Sequence, residues 1–461
     1  MNIAIFSGEL SGDLLGAALV EAIRRRAPEA TFWGLGSGAM RAAGVELLAD
    51  SASWGAISIT QAIGKWPGLR FQVLPRVQQE LRKRRPDVVV PIDFGAFNVR
   101  VARFSKSLGL KVLYYFPPGA WRRTGEQGAA LAQFTDLLAT PFPWSAERFR
   151  ALGANAVCVG HPLLERARPV MTRAEFAAQF GMDASQPIIG LLPGSRHHEV
   201  VHLMPTLLEA ARLIYRSVPD AQFVVGVAPT ISLETMTRFL TGNKELGDRL
   251  GDIWHEFAQE AETKVWKPVA RTASALSPQR RPMLVTAGGV LLPPEALQKE
   301  MEARRRSEHL HARSEQALPP TVLAKGLIYD VMAHSDVLLT CSGTATLEAT
   351  VLCTPMVILY RGSKIMEVEY KLRRMDKKLT FIGLPNILAD RLIVPELIQW
   401  DATPEAIAEH ALTLLNDIET RQRTKAELRA VTAMLGEPGA SERTAQLVLE
   451  LAAQSASPTR H

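Results

Sequence analysis

Cysteine is scarce: 3 in 461 residues, at Cys158, Cys341 and Cys353. Their spacing fits neither a disulfide framework nor a metal-ligand set, so a reducing compartment, the cytoplasm, is expected. Neither a metal nor a cofactor is expected. No run of about 18 apolar residues exists to cross a bilayer. The start, Met1-Asn-Ile-Ala-Ile-Phe6, has no basic region and soon meets Gly8 and Glu9, so no cleaved signal is expected. Aromatics make up only 7%, and none interleave the basic clusters Arg24 to Arg26, Arg82 to Arg85 and Arg304 to Arg306. Base stacking needs such interleaving, so nucleic acid is not the expected partner. Charge of one sign is in small excess, 53 Lys+Arg against 47 Asp+Glu, leaving +6. That balance suits anionic lipid or phosphorylated substrates. Repeats of solenoid period are absent.

What is present is a long series of short apolar runs alternating with helical patterns: Ile3 to Phe6, Asp87 to Ile92, Lys111 to Tyr115, Leu137 to Ala139 and Ala156 to Val159. A second series follows at Pro187 to Leu192, Gln222 to Val227, Asp336 to Leu339 and Met356 to Leu359. Continuous apolar runs between helices are the mark of parallel sheets covered on both faces. An α/β chain of two Rossmann-like domains is therefore expected, residues 1–170 and 171–400, with helices and a polar tail over 401–461. An Arg-, Glu- and Gln-rich stretch at about 235–318, with one apolar island at Pro282 to Leu292, reads as an insertion in the second domain.

Strand, glycine-bearing turn, helix is the local order in which amide groups at a helix start can hold phosphate oxygens. Ser342-Gly-Thr-Ala-Thr-Leu-Glu348 follows one apolar run and precedes another. Ser342 and Thr344 add hydroxyl donors, Gly343 admits a ligand to the backbone, and Glu348 could accept hydrogen bonds from ribose hydroxyls. The same residues would also serve as an ordinary capped helix start. Leu191-Leu-Pro-Gly-Ser-Arg196, followed by Glu199, repeats the arrangement and adds a guanidinium suited to a diphosphate. In the first domain, Ser7-Gly-Glu9-Leu-Ser11-Gly12-Asp13 is acidic, a poor phosphate cradle but a candidate binder of sugar hydroxyls. Alternatively, Ser11 or Asp13 caps a helix beginning near Leu14. Asp93, in Ile92-Asp-Phe-Gly-Ala-Phe-Asn98, ends a strand and is either a general base for a substrate hydroxyl or a helix cap.

Together these motifs resemble the lipid-A-disaccharide synthases, inverting glycosyltransferases of the GT-B fold, whose two Rossmann-like domains face across a cleft. The resemblance rests on Ser7 to Asp13, Ile92 to Asn98, Val159-Gly-His-Pro162, Leu192 to Arg196, Ser342 to Glu348, Pro355 to Tyr360, and Leu384-Pro-Asn-Ile-Leu388 with Val394 to Leu397. It implies a UDP-linked 2,3-diacylglucosamine donor, a 2,3-diacylglucosamine 1-phosphate acceptor and a β-1,6 disaccharide product. It further implies that Arg196, Ser342, Gly343, Thr344, Ala345, Thr346, Glu348 and the nearby Asn386 bind donor. Glu9, Ser11, Gly12, Asp13 and Asn98 would serve the first-domain site, and Asp93 would be the base. The acylated substrates imply a peripheral protein on the inner face of the cytoplasmic membrane. Trp54 to Leu74, rich in Trp, Ile, Leu and Phe with Lys65 and Arg70, reads either as an interfacial segment or as a core-facing helix and loop.

Departures gather in the first domain. Ala96 stands where the family has a second Asp, Ser58 where it has Glu, and the segment at 117–122 is shortened; in the second domain Asp390 replaces a Gly. A retained UDP-sugar donor with a changed acceptor is one alternative. A nucleotide-sugar binder without catalysis and a UDP-sugar epimerase on the same fold are others. Oligomeric state is left open.

Overall fold

The computed structural model describes residues 1–51, 54, 68–121, 125–126, 128–241, 284–285, 291–292, 319–361 and 381–456. The chain divides into two compact units, Met1–Arg166 with Ala433–His461, and Ala167–Thr432.

Unit 1 contains strands β1 (Asn2–Ser7), β2 (Thr31–Gly36), β3 (Glu46–Asp50), β4 (Val88–Ile92), β5 (Lys111–Tyr115), β6 (Leu137–Thr140) and β7 (Ala156–Cys158). Its helices are α1 (Leu10–Arg26), α2 (Gly38–Ala42), α3 (Leu74–Arg84), α4 (Gly95–Ser107), α5 (Pro143–Ala151) and α6 (Leu163–Arg166). The strands form one parallel sheet in the order β3-β2-β1-β4-β5-β6-β7. Their runs are apolar throughout because both faces are covered. Ile3, Ile5, Val88 and Val90 enter one core layer, and Ala4, Phe6 and Val89 enter the other.

Unit 2 contains α7 (Arg173–Gln179), β8 (Ile188–Leu192), α8 (His197–Ser217), β9 (Gln222–Val227), α9 (Leu233–Thr241), β10 (Leu284–Val285), β11 (Leu291–Leu292), β12 (Thr321–Lys325) and α10 (Ile328–His334). It continues through β13 (Val337–Cys341), α11 (Thr344–Val351), β14 (Met356–Tyr360), α12 (Leu384–Ala389), β15 (Glu396–Ile398), α13 (Pro404–Asn416) and α14 (Ile418–Ala433). Its main sheet is parallel in the order β12-β9-β8-β13-β14-β15, while β10 and β11 form a separate antiparallel pair. Helix α8 lies on the sheet through Val200, Leu203, Leu207, Ala211 and Ile214, all essentially inaccessible. That spacing of three and four keeps one helical face inward. Each such Val, Leu or Ile contributes roughly 1.5–3 kcal/mol of apolar burial.

The last helix, α15 (Ala440–Ala456), belongs to unit 1. Ala445, Val448, Leu451 and Ala452 join the core of Ile3, Ile5, Leu19 and Ile23. One oxygen of Glu165 accepts from the Gly439 and Ala440 amides at 2.7 Å each, and the Arg443 guanidinium donates to the Val159 carbonyl at 2.9 Å. Residues 401–461, expected as one block of helices, are thus divided, with everything through Thr432 in unit 2. Helix α1 begins at Leu10, not near Leu14.

Counted from their first strands, both main sheets share the order 3-2-1-4-5-6, which reverses direction between the first and fourth strands. The crevice at that reversal lies beside β1 and β4 in unit 1, and beside β8 and β13 in unit 2. Among the described residues no helix is long and apolar enough to cross a membrane. Most of the Trp54 to Leu74 segment and of the 235–318 stretch lies outside the described residues.

Candidate functional site

All four candidate loops follow the strands that flank these two reversals: 7–13 after β1, 93–98 after β4, 193–199 after β8 and 342–348 after β13.

In unit 2, β8 turns through Gly194 (φ 119°) into α8. Glu199, 6% exposed, closes that helix start. Its Oε2 accepts from the Ser195 and Arg196 amides at 2.9 and 3.1 Å, and its Oε1 accepts from Arg196 Nη1 at 3.0 Å. The start of α11 is different, since its N-cap residue, Gly343, has no side chain and no other side chain caps it among the described residues. Gly343 and Thr344 are exposed there and Ala345 is half-buried. Thr346 is fully buried and its hydroxyl donates to the Gly343 carbonyl at 2.8 Å. The Ser342 hydroxyl donates to the Ile382 carbonyl at 3.0 Å. Of the hydroxyls expected to meet phosphate, Thr344 is exposed at the helix start, whereas Ser342 and Thr346 brace the loop. Glu348 is half-buried, and its Oε1 accepts from the Tyr329 phenol at 3.1 Å. Burial pushes the Cys341 thiol up to about 12, so this cysteine is an uncharged core group.

Asn386 is wholly buried, and its carboxamide is fully occupied. It donates to the Val394 carbonyl and Glu396 Oε1 at 2.9 and 2.7 Å, and accepts from the Ile393 and Val394 amides at 2.8 and 3.1 Å. Glu396 in turn accepts from the Ile382 and Gly383 amides at 2.8 Å each. Asn386 therefore builds the loop and has no hydrogen-bonding capacity left for a ligand.

In unit 1, Asp13 is likewise engaged within the protein. Its buried carboxylate accepts from the Ser37, Ala39 and Met40 amides at 2.6, 2.9 and 3.2 Å, closing the start of α2. Gly12 is buried against Ser7, while Glu9 and Ser11 remain half-buried. Asn98 is 1% exposed and donates to the carbonyls of Phe6, Ile92 and Asp93 at 2.9, 2.9 and 3.0 Å. Its Oδ1 is buried with no hydrogen-bond partner among the described residues.

What Asn98 clamps is a strained turn. Asp93 and Phe94 are consecutive left-handed residues with φ of 45° and 50°. Each costs about 1 kcal/mol or more, which the surroundings must offset. Asn98 does so from one side, and the Tyr114 hydroxyl donates to the Asp93 carbonyl at 2.8 Å. The Phe94 ring lies over Gly8, where an added Cβ would come within 2.1 Å of it, and it stacks on Trp54. Asp93 itself is open to solvent at its surface. The protein mass around it nevertheless disfavours the charged form and raises its pKa from the ordinary 3.8, against an opposing hydrogen bond from the Phe94 amide. His161 is a structural group: its Nδ1 accepts from the Leu163 amide at 3.2 Å, and burial lowers its pKa to about 3. Sequence reading missed the supporting roles of Glu199, Tyr114, Tyr329 and Glu396. Only Glu199, three residues after Arg196 at a helix start, carried a visible signal, the capping-box spacing.

No cluster of three or more His, Cys, Asp or Glu side chains is placed to hold a metal ion among the described residues.

Solved structures with this fold include a putative UDP-N-acetylglucosamine 2-epimerase from Listeria monocytogenes, 13% identical with TM-score 0.51, covering 96% of this chain and 94% of that one. Another is UDP-GlcNAc 2-epimerase from Neisseria meningitidis bound to UDP-GlcNAc, 11% identical with TM-score 0.50, covering 98% and 100%. At such identity the likeness is one of fold, and it sets the class: two Rossmann-like α/β domains of the GT-B type. Sequence comparison then separates the lineages. A family model described as lipid-A-disaccharide synthetase matches residues 3–246 and 297–451. Lipid-A-disaccharide synthases from Geobacter metallireducens and Syntrophus aciditrophicus are 32% identical over 452 residues and 31% over 454, covering 98% of this chain and 97% and 98% of those proteins. The chain belongs to the lipid-A-disaccharide synthase family and is a glycosyltransferase of lipid A biosynthesis. Residues 247–296 fall outside the family match.

Proposed function

We propose that this enzyme transfers 2,3-diacylglucosamine from UDP to 2,3-diacylglucosamine 1-phosphate by direct inverting displacement. Unit 2 takes the UDP moiety at the open start of α11, with Thr344, the backbone amides of Gly343 and Ala345, Arg196 as guanidinium and Glu348 for the ribose. Unit 1 supplies Asp93 as general base. It removes the proton of the acceptor 6-hydroxyl as that oxygen attacks the anomeric carbon and the bond to the diphosphate breaks. A raised pKa makes Asp93 a better proton acceptor near neutral pH. Negative charge gathering on the departing UDP is met by the dipole and amides of α11 and by Arg196. Support comes above all from the uncapped start of α11 beside the reversal of the unit 2 sheet. The acyl chains of both substrates place the enzyme peripherally on the cytoplasmic membrane surface.

A second reading keeps the donor and changes the acceptor. It is favoured by Ala96, two residues before the Asn98 clamp, where the family carries an acidic residue. One assay separates them: UDP release from UDP-2,3-diacylglucosamine with and without 2,3-diacylglucosamine 1-phosphate, beside Asp93→Asn. Release that requires this acceptor, and falls by about 10²–10⁴ in the variant with UDP affinity unchanged, is expected for the first reading. Donor binding without acceptor-dependent release favours the second.

A further inference from the structure

The two helix starts at the unit 2 reversal are unequally furnished, and Glu199 is the cause. Its carboxylate occupies the amides of Ser195 and Arg196, so α8 already holds a negative charge of the protein's own. An added Cβ at Gly194 would lie 2.5 Å from Glu199 Oε2 and 2.7 Å from its Cβ, so the loop is folded directly onto this side chain. The same carboxylate grips Arg196 through Nη1 alone. Nε and Nη2 of Arg196 have no partner among the described residues, and its side chain is 40% exposed. Strands β8 and β13 are paired, with Leu192 opposite Thr340, one strand spacing of about 4.8 Å apart. The field of the pair reaches the end of β13, where Glu199 raises and Arg196 lowers the proton affinity of Cys341.

Resting on the donor-site reading above, we infer that Glu199 is a positioning residue for the donor diphosphate. It closes the start of α8 to phosphate, so that phosphate is taken at α11, and it fixes Arg196 with its outer guanidinium edge available to the same group. A guanidinium tethered at one nitrogen loses less freedom on binding phosphate than one that swings in solvent.

The test is a double-mutant cycle on the full-length protein, Glu199→Gln, Arg196→Ala and both together. UDP affinity is measured by calorimetry and uridine binding by saturation-transfer NMR. Glu199→Gln is expected to weaken UDP about tenfold while leaving uridine unchanged, because a charge-assisted bond to Arg196 is lost. In the Arg196→Ala background the Glu199 substitution should change UDP affinity no further. Unchanged uridine binding also reports that the site is folded. Tighter UDP binding by Glu199→Gln would show that the carboxylate competes with phosphate, and an equal loss in both backgrounds would show that it does not act through Arg196. Either overturns the inference. Should Glu199→Gln fail to fold, Arg196→Ala binding UDP as tightly as the wild type overturns it instead. A wild-type protein that ignores UDP defeats the donor-site reading itself, an outcome distinct from the others.

Discussion

The two sheet reversals share a strand order but present opposite chemistry. In unit 1 the chain leaves β4 through consecutive left-handed residues and shows a carboxylate, Asp93, on a crowded wall built with Phe94 and Phe97. In unit 2 it leaves β13 through Ser342 and Gly343 into a helix whose start carries no side-chain cap among the described residues. One reversal raises the proton affinity of an acid, and the other exposes the start of a helix. Each unit also carries a buried asparagine clamp, Asn98 at the turn after β4 and Asn386 on the chain between α12 and β15. The difference is that Asn386 is saturated, while Asn98 spends its amide on three carbonyls and leaves Oδ1 with no partner among the described residues. The same topology thus supports either task, and a few side chains at the strand ends select it.

The comparison can be broken most forcefully at Asn386. Asn386→Ala orphans the Ile393 and Val394 amides and should destabilise the protein by about 3 kcal/mol, with hydrogen exchange rising over 381–398 and not over 88–98. Equal exchange in both segments would mean that the asparagine clamps are not local. Gly8→Ala drives a methyl into the Phe94 ring and should cost about 1–3 kcal/mol in chemical denaturation, with kcat falling and UDP affinity kept. Unaltered kcat would detach the turn from Asp93's function.

The smallest effect sharpens the acid side. Tyr114→Phe removes the bond to the Asp93 carbonyl and should cost about 1 kcal/mol, with a modest loss of kcat. The pH profile carries a definite sign. A base works deprotonated, so kcat should rise through a limb displaced above 3.8, and Asp93→Asn should abolish that limb. The stability contribution runs the other way. Because the folded state raises this pKa, the favourable effect of the protonated carboxyl is complete below 3.8 and is lost as pH climbs through the displaced value. A limb at or below 3.8 would remove Asp93 from the role of a desolvated base.

The architecture was legible where burial on two faces leaves unbroken apolar runs, as at Lys111 to Tyr115 and Gln222 to Val227, which match β5 and β9 residue for residue. It was not legible at β2, where Gly34 and Gly36 dilute the run, or at β15, only three residues long. The candidate residues were found as positions, but their tasks depend on partners far along the chain. Asn98 grips a carbonyl 92 residues away, and Asp13 closes a helix 24 residues on, not its own. A polar residue in a motif reads the same whether it faces ligand or framework.

Helix α15 fixes an order of events during synthesis. The face of unit 1 that carries Ile3, Ile5, Leu19 and Ile23 is finished only by Ala445, Val448, Leu451 and Ala452. A ribosome adds roughly 5–20 residues per second, so the first unit made must wait on the order of tens of seconds, its apolar face uncovered, while all of unit 2 emerges. The half of the chain that is born first is the last to be completed, and it is there that a chaperone would find something to hold.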